Sequence, residues 1–169
     1  MRKKVLFLIV FLCSLSVFPQ KSMYFKVIPT ERNLFLYPVN GMDRPKGLKP
    51  PYDRPVSLKE ERESIRDIQA LLKEKFLGIS DQDFVILKKV VYNIYFSQKG
   101  KVIYYEILFP ASSEDAFPCF EKQLYEVAET LSTWDFSRYG LNIPFKDESL
   151  KQYGVIGFPL LWIKSHLSE

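Results

Sequence analysis

Histidine and cysteine are nearly missing from this 169-residue chain, with one of the first and two of the second. The single histidine, His166, lies close to the end of the sequence, so a hydrolytic triad has no base to place beside a nucleophile. One histidine with one or two cysteines cannot supply the four nitrogen and sulfur ligands of a structural zinc site. No Gly-x-Gly-x-x-Gly or Gly-x-x-x-x-Gly-Lys run is present among the seven glycines to cradle a phosphate. The acidic pair Asp81 and Asp83 lacks the glycine and the further oxygen ligands of a calcium loop and reads as a solvated turn. No metal, cofactor or catalytic constellation is therefore assigned, and the chain is read as non-enzymatic. Long apolar runs are scarce as well. The one at the start, Val5 to Phe18, spans fourteen residues, short of the about 20 that a membrane-crossing helix needs.

That run follows Arg2, Lys3 and Lys4, the pattern of a secretory signal segment, and the expectation is an exported protein, periplasmic or extracellular. Ser14 and Ser16 offer small residues for one cut and Ser22 for a later one, so residues 1–22 are assigned to the leader. Cys13 has no small residue just before it, which argues against a lipid-modified cysteine. Removing Arg2, Lys3 and Lys4 leaves 21 basic residues against 20 acidic ones. The basic excess thus belongs to the leader, and the remainder has no charge bias toward nucleic acid or an anionic membrane. With Cys119 the sole cysteine left, no internal disulfide is available, and the domain must rely on its core. Hydrophobic residues make up 47% of the chain and aromatic ones 15%, well above the composition of a disordered chain.

Six of the eleven prolines fall between Pro29 and Pro55, so residues 23–56 are read as a proline-rich arm, extended and packed, with at most a short strand at Met23 to Ile28. Residues 57–169 then form one α+β domain. Ser57 followed by Glu60 is a capping-box pair, which predicts a helix from Leu58 to about Phe76 with Ile65, Ile68, Leu72 and Phe76 on its buried stripe and Leu71 beside them. Gly78 is its terminator. From Phe84 to Phe109 the sequence is β-branched and aromatic, broken at Ser97 to Lys101, which predicts a hairpin. A two-residue Lys99-Gly100 turn would set Gln98 opposite Lys101, Phe96 opposite Ile103 and Tyr92 opposite Ile107, an arrangement that sorts apolar from polar faces. A three-residue glycine-bulge loop would slip that pairing and is disfavoured.

Phe117, Phe120, Leu124, Val127, Ala128 and Leu131 predict a helix from about Ala116 to Thr133 whose apolar stripe covers the hairpin, capped by Ser113 or Asp115. Cys119 near its start reads as a semi-buried packing residue rather than a reactive thiol. The run Val155 to Lys164, interrupted by Gly157 and Pro159, fits an edge strand. The fold class that follows is an antiparallel sheet built on the hairpin, with two helices packed on one side.

Asn93 to Phe96, Lys99-Gly100-Lys101-Val102, Glu106-Ile107-Leu108, Leu131 to Phe136 with its Trp134-Asp135-Phe136 step, and Phe158 to Ile163 follow a strand, turn, strand, helix, aromatic-x-Phe, strand pattern that resembles the C-terminal domain of TonB-type energy transducers, over about residues 90–163. The resemblance implies a domain of the cell envelope that captures an extended peptide on an exposed sheet edge. The short leader and the modest reach of the proline-rich stretch argue against an anchored transducer. The function expected is a non-enzymatic envelope module with a protein or peptide partner, using Tyr95 and Tyr104 on the hairpin or Phe158, Leu160 and Trp162 on the last strand. Two alternatives stand beside it: an acid/base enzyme using Glu106 opposite Asn93, and a small-ligand carrier with a cavity between sheet and second helix.

Overall fold

The computed structural model describes residues 22–39, 56–76, 78–143 and 153–161. Residues 1–21 of the expected leader, residues 40–55 of the proline-rich arm, Trp162 and His166 lie outside them. Among the described residues seven strands and three α-helices follow in chain order: β1 Phe25–Pro29, β2 Asn33–Pro38, β3 Ser57–Leu58, α1 Glu61–Lys73, α2 Asp81–Leu87, β4 Val91–Ser97, β5 Val102–Pro110, α3 Phe117–Ser132, β6 Leu141–Asn142 and β7 Tyr153–Pro159. Five strands form an antiparallel sheet in the order β1-β2-β5-β4-β7, while β3 and β6 pair separately. This is the antiparallel α+β architecture expected.

The hairpin forms with the expected register along most of its length but by a different route. Gly100, at φ +76°, donates its N–H to Ser97 O at 2.8 Å, and Ser97 N–H donates to Lys101 O at 2.9 Å. The loop therefore has three residues, Gln98 to Gly100, and Ser97 rather than Gln98 faces Lys101. Phe96 faces Val102 and Tyr95 faces Tyr104, so Ile103 is an extra residue on β5. That bulge undoes the slip the loop introduces, and Ile94 meets Tyr105 and Tyr92 meets Ile107 as the alternation requires.

The sorted face carries the core. Tyr92, Ile94 and Phe96 of β4, Tyr105, Ile107 and Phe109 of β5, and Leu34 and Leu36 of β2 are all at most 2% exposed. The whole expected stripe of α3 is buried against them. Phe109 stands edge-on to Phe117 at 5.5 Å, and Tyr92 Oη donates to Leu124 O at 3.1 Å. Ile68, Leu72 and Phe76 of α1 and its 3-10 extension join the same cluster. Glu121 of α3 takes the Tyr24 N–H at 3.0 Å and Tyr24 stacks on Tyr125, which ties the start of β1 to the helix layer.

Several local expectations are corrected. The residues between Asn33 and Pro38, read as irregular, form a strand paired with β5, because Leu34 and Leu36 alternate with Phe35 and Tyr37 and the prolines stand only at the strand ends. The first long helix begins at Glu61, not Leu58. Ser57 and Leu58 pair with Asn142 and Leu141, and the Lys59 and Glu60 N–H groups donate to Gly140 O and Tyr139 O, so a distant segment satisfies the donors that a capping box would have served. Leu71, beside the expected stripe, is 42% exposed. Asp81 to Leu87, expected as a turn running into a strand, is helical. Ser80 Oγ accepts the Asp83 N–H at 3.1 Å, and two aspartates occupy the first turn, where the helix dipole favours them. Neither Ser113 nor Asp115 caps α3, which follows a 3-10 turn and is preceded by Ala116 without a side-chain cap, while Pro118 sits in the first turn as expected. Cys119 is exposed, one position off the buried stripe.

The turn of the hairpin is docked on the segment after α3. Phe136 N–H donates to Gly100 O at 2.8 Å, Lys101 pairs with Asp135, and a Cβ on Gly100 would stand 2.2 Å from Ser137 N. The Lys101 hydrogen bond, with support from Ser137, holds the Asp135 carboxyl down to about 2. Gly100→Ala therefore meets both a left-handed backbone and a backbone clash, and is expected to cost about 2 kcal/mol or more in denaturant unfolding. Burial pushes the phenols of Tyr92 and Tyr105 well above their ordinary value, with Tyr105 and Glu129 respectively adding to it. Their neutral forms stabilise the fold fully below the unfolded value of about 10, and this contribution is lost as the pH rises from there through the raised folded-state values. Unfolding temperature should fall steeply above about pH 10, and less so in Tyr105→Phe.

Candidate functional site

The five candidate partner-binding residues do not share a surface. Phe158 and Leu160 are 0% and 1% exposed and face the core, and Trp162 lies outside the described residues. Tyr95 and Tyr104 do meet across the hairpin on the sheet's other face, with ring centroids 5.5 Å apart, and Tyr153 of β7 lies 5.9 Å from Tyr95. Tyr104 is only 1% exposed, however, so the pair presents little open ring surface. Beside it Glu106 is 6% exposed and opposite Asn93 as expected, accepting hydrogen bonds from Tyr95 Oη at 3.0 Å and Asn93 Nδ2 at 3.2 Å. Both donors come from β4, so the arrangement satisfies a buried carboxylate within one hairpin.

Residues that the sequence did not single out come together at the other edge of the sheet. β7 closes the sheet as an edge strand. Leu160 N–H donates to Val90 O at 3.0 Å. Hydrogen-bonded pairs alternate along an antiparallel ladder. Given the register, Phe158, Ile156 and Gly154 bond to β4, and the N–H and C=O groups of Val155 and Gly157 point outward. Pro159 occupies an outward position too, where its missing N–H removes no bond to β4. Tyr153 O, also outward, accepts the Val56 N–H at 3.3 Å. Val56 thus bonds to the outer side of β7, and the two residues after it turn away to pair as β3 with β6.

The divergence of β3 from β7 leaves a cavity of about 300 Å³, lined by Val56, Ser57, Leu58, Glu61, Phe96, Val155 and Ile156. Its floor is apolar, and among the described residues that line it Glu61, from the first turn of α1, is the one ionisable group. The walls are fixed from two sides. On one side β6 is fixed by the turn before it, where Tyr139 Oη donates to Asp67 Oδ2 at 3.0 Å and the Arg138 guanidinium lies 4.3 Å from the Trp134 ring centroid and 4.7 Å from that of Tyr139. On the other, Gly154 lets two groups approach at once: a Cβ there would stand 2.1 Å from Phe96 Cζ and 2.5 Å from Val56 O. Among the described residues no cluster of three histidine, cysteine or acidic side chains could hold a metal, and no helix is long and apolar enough to cross a membrane.

A proline and two glycines in Tyr153 to Pro159 mark the edge in the sequence. The cavity has no such signal, since its lining comes from three segments far apart along the chain: Val56 to Glu61, Phe96, and Val155 with Ile156. Gly154→Ala must displace the Val56 carbonyl or the Phe96 ring, and is expected to cost about 1–3 kcal/mol by chemical unfolding, as overpacked sites do. Comparison with protein-family models, with curated proteins and with solved structures found no match to this chain.

Proposed function

We propose that this protein is a non-enzymatic interaction module of the cell envelope, which captures an extended segment of a partner protein by adding it as a strand to the outer edge of β7. The observation that carries the reading is the set of outward N–H and C=O groups at Val155 and Gly157, in line with a place where Val56 already bonds to Tyr153 as an added strand would. Main-chain bonding of this kind supplies affinity, and pockets beside the edge supply selectivity. Val155 is 43% exposed and Gly157 is exposed, so nothing among the described residues blocks approach.

The resemblance of the sequence to TonB-type C-terminal domains supports this reading, and the basic residues and apolar run at its start support an envelope location. An acid/base role for Glu106 has less support, since its carboxylate is held between Tyr95 and Asn93 on the face of a hairpin and does not line the cavity. A carrier role has less support as well, because the cavity lies at the corner of β3, α1 and β7 rather than between the sheet and α3.

The test is Gly157→Pro, which deletes an outward donor while leaving the bonds to β4 in place. A random library of short displayed peptides should yield binders to the full-length chain that lose about tenfold or more in affinity for the variant, while its unfolding temperature stays close to that of the parent. Absence of binders, or binders indifferent to the proline, would overturn the proposal.

A further inference from the structure

Resting on the strand-addition reading, we infer that the segment accepted by β7 carries a large apolar side chain where it faces Ile156 and a cationic side chain two residues away, beside Glu61. The argument is one of register. Residues directly opposite one another in paired strands put their side chains on the same face of the sheet. A strand that bonds to the outward groups of Val155 and Gly157 therefore sets one residue opposite each of them, and the residue between faces Ile156. Ile156 belongs to the core face of β7, in the row of Ile94 and Tyr105. The middle side chain of the added strand enters that same face, where the cavity opens between Ile156, Phe96, Val56 and Leu58. A volume of about 300 Å³ lies at the low end for small-molecule sites, which suits one large side chain better than a cofactor.

Charge picks out the second position. Side chains two residues apart share a face and stand about 7 Å apart along a strand, within reach of a long basic side chain leaning over the cavity. Glu61 is the carboxylate on that rim. The ion pairs among the described residues engage Glu63, Asp67, Glu126 and Asp135, and none engages Glu61. An apolar floor next to a single carboxylate strengthens its attraction for a cation relative to open water, and it repels an acidic residue at the same place.

The experiment uses short synthetic peptides of alternating threonine and valine, labelled for fluorescence anisotropy, with phenylalanine or alanine at the centre and lysine or glutamate two residues to either side. The full-length chain should bind the phenylalanine–lysine peptides about tenfold more tightly than those with alanine or with glutamate. Glu61→Lys should invert the choice between lysine and glutamate, and Glu61→Gln should abolish it, with far-ultraviolet circular dichroism showing the fold retained. Equal binding of lysine and glutamate peptides, or a preference unchanged in both variants, would overturn the inference. Binding that is unselective yet lost in Gly157→Pro would overturn it and leave strand addition standing. No binding by any of the peptides would remove both.

Discussion

A single extra residue on β5 governs the rest of the structure. The hairpin loop between Ser97 and Lys101 has three residues, and a continuous ladder from it would offset β4 and β5 by one. In a sheet with period-two side chains, that offset would bring Tyr104, Glu106 and Leu108 into line with the core face of β4 and turn Tyr105, Ile107 and Phe109 outward. The bulge at Ile103 absorbs the difference within two pairs of the turn. Everything that packs on the core face, from the stripe of α3 to Leu34 and Leu36 at one side and Ile156 and Phe158 at the other, presumes that correction. The docking of Gly100 on the backbone of Phe136 and Ser137 explains why the loop takes the longer form: a left-handed glycine places its carbonyl where Phe136 N–H can reach it.

With the core face settled, the two edges of the sheet are treated differently. At one side β1 and β2 extend the sheet and are held to α3 through Tyr24 and Glu121. At the other, β7 ends the sheet with a proline and an exposed glycine, devices that limit uncontrolled pairing without removing every outward donor. Val56 occupies one outward acceptor and then departs, so the remaining edge is short and sits beside an apolar hollow with one carboxylate. Among the described residues the edge is uncovered only at Val155 to Pro159, beside this hollow, and the proposed capture of a defined segment rests on that geometry.

Much of the architecture was legible in the residues themselves, and each miss has its own physical cause. The α3 stripe and the hairpin pairing below its turn follow from patterns that repeat over many residues, and the edge character of the last strand follows from its proline and glycines. The strand at Asn33 to Pro38 was masked by the density of prolines around it, although its own alternation was regular. The helix at Asp81 to Leu87 is too short for periodicity to separate it from a strand, and a local Ser80 cap decided the matter. At Ser57 the capping-box pattern was real as chemistry, but the donors it would have served found partners at Tyr139 and Gly140, far along the chain. The same distance hid the candidate site: Val56, Glu61, Phe96 and Ile156 carry no joint signature until the chain folds.

Sequence alone determined the class of this protein, because the spacing of apolar residues dictates which face of each helix and strand must leave water, and the near absence of histidine and cysteine excludes the commonest catalytic and metal-binding sites. Tertiary structure alone decided which strand stands at the edge of the sheet and where a cavity opens beside it. An open edge is defined by which strands end beside it, and a cavity by segments that diverge, and both depend on contacts between residues whose separation along the chain leaves no pattern to read.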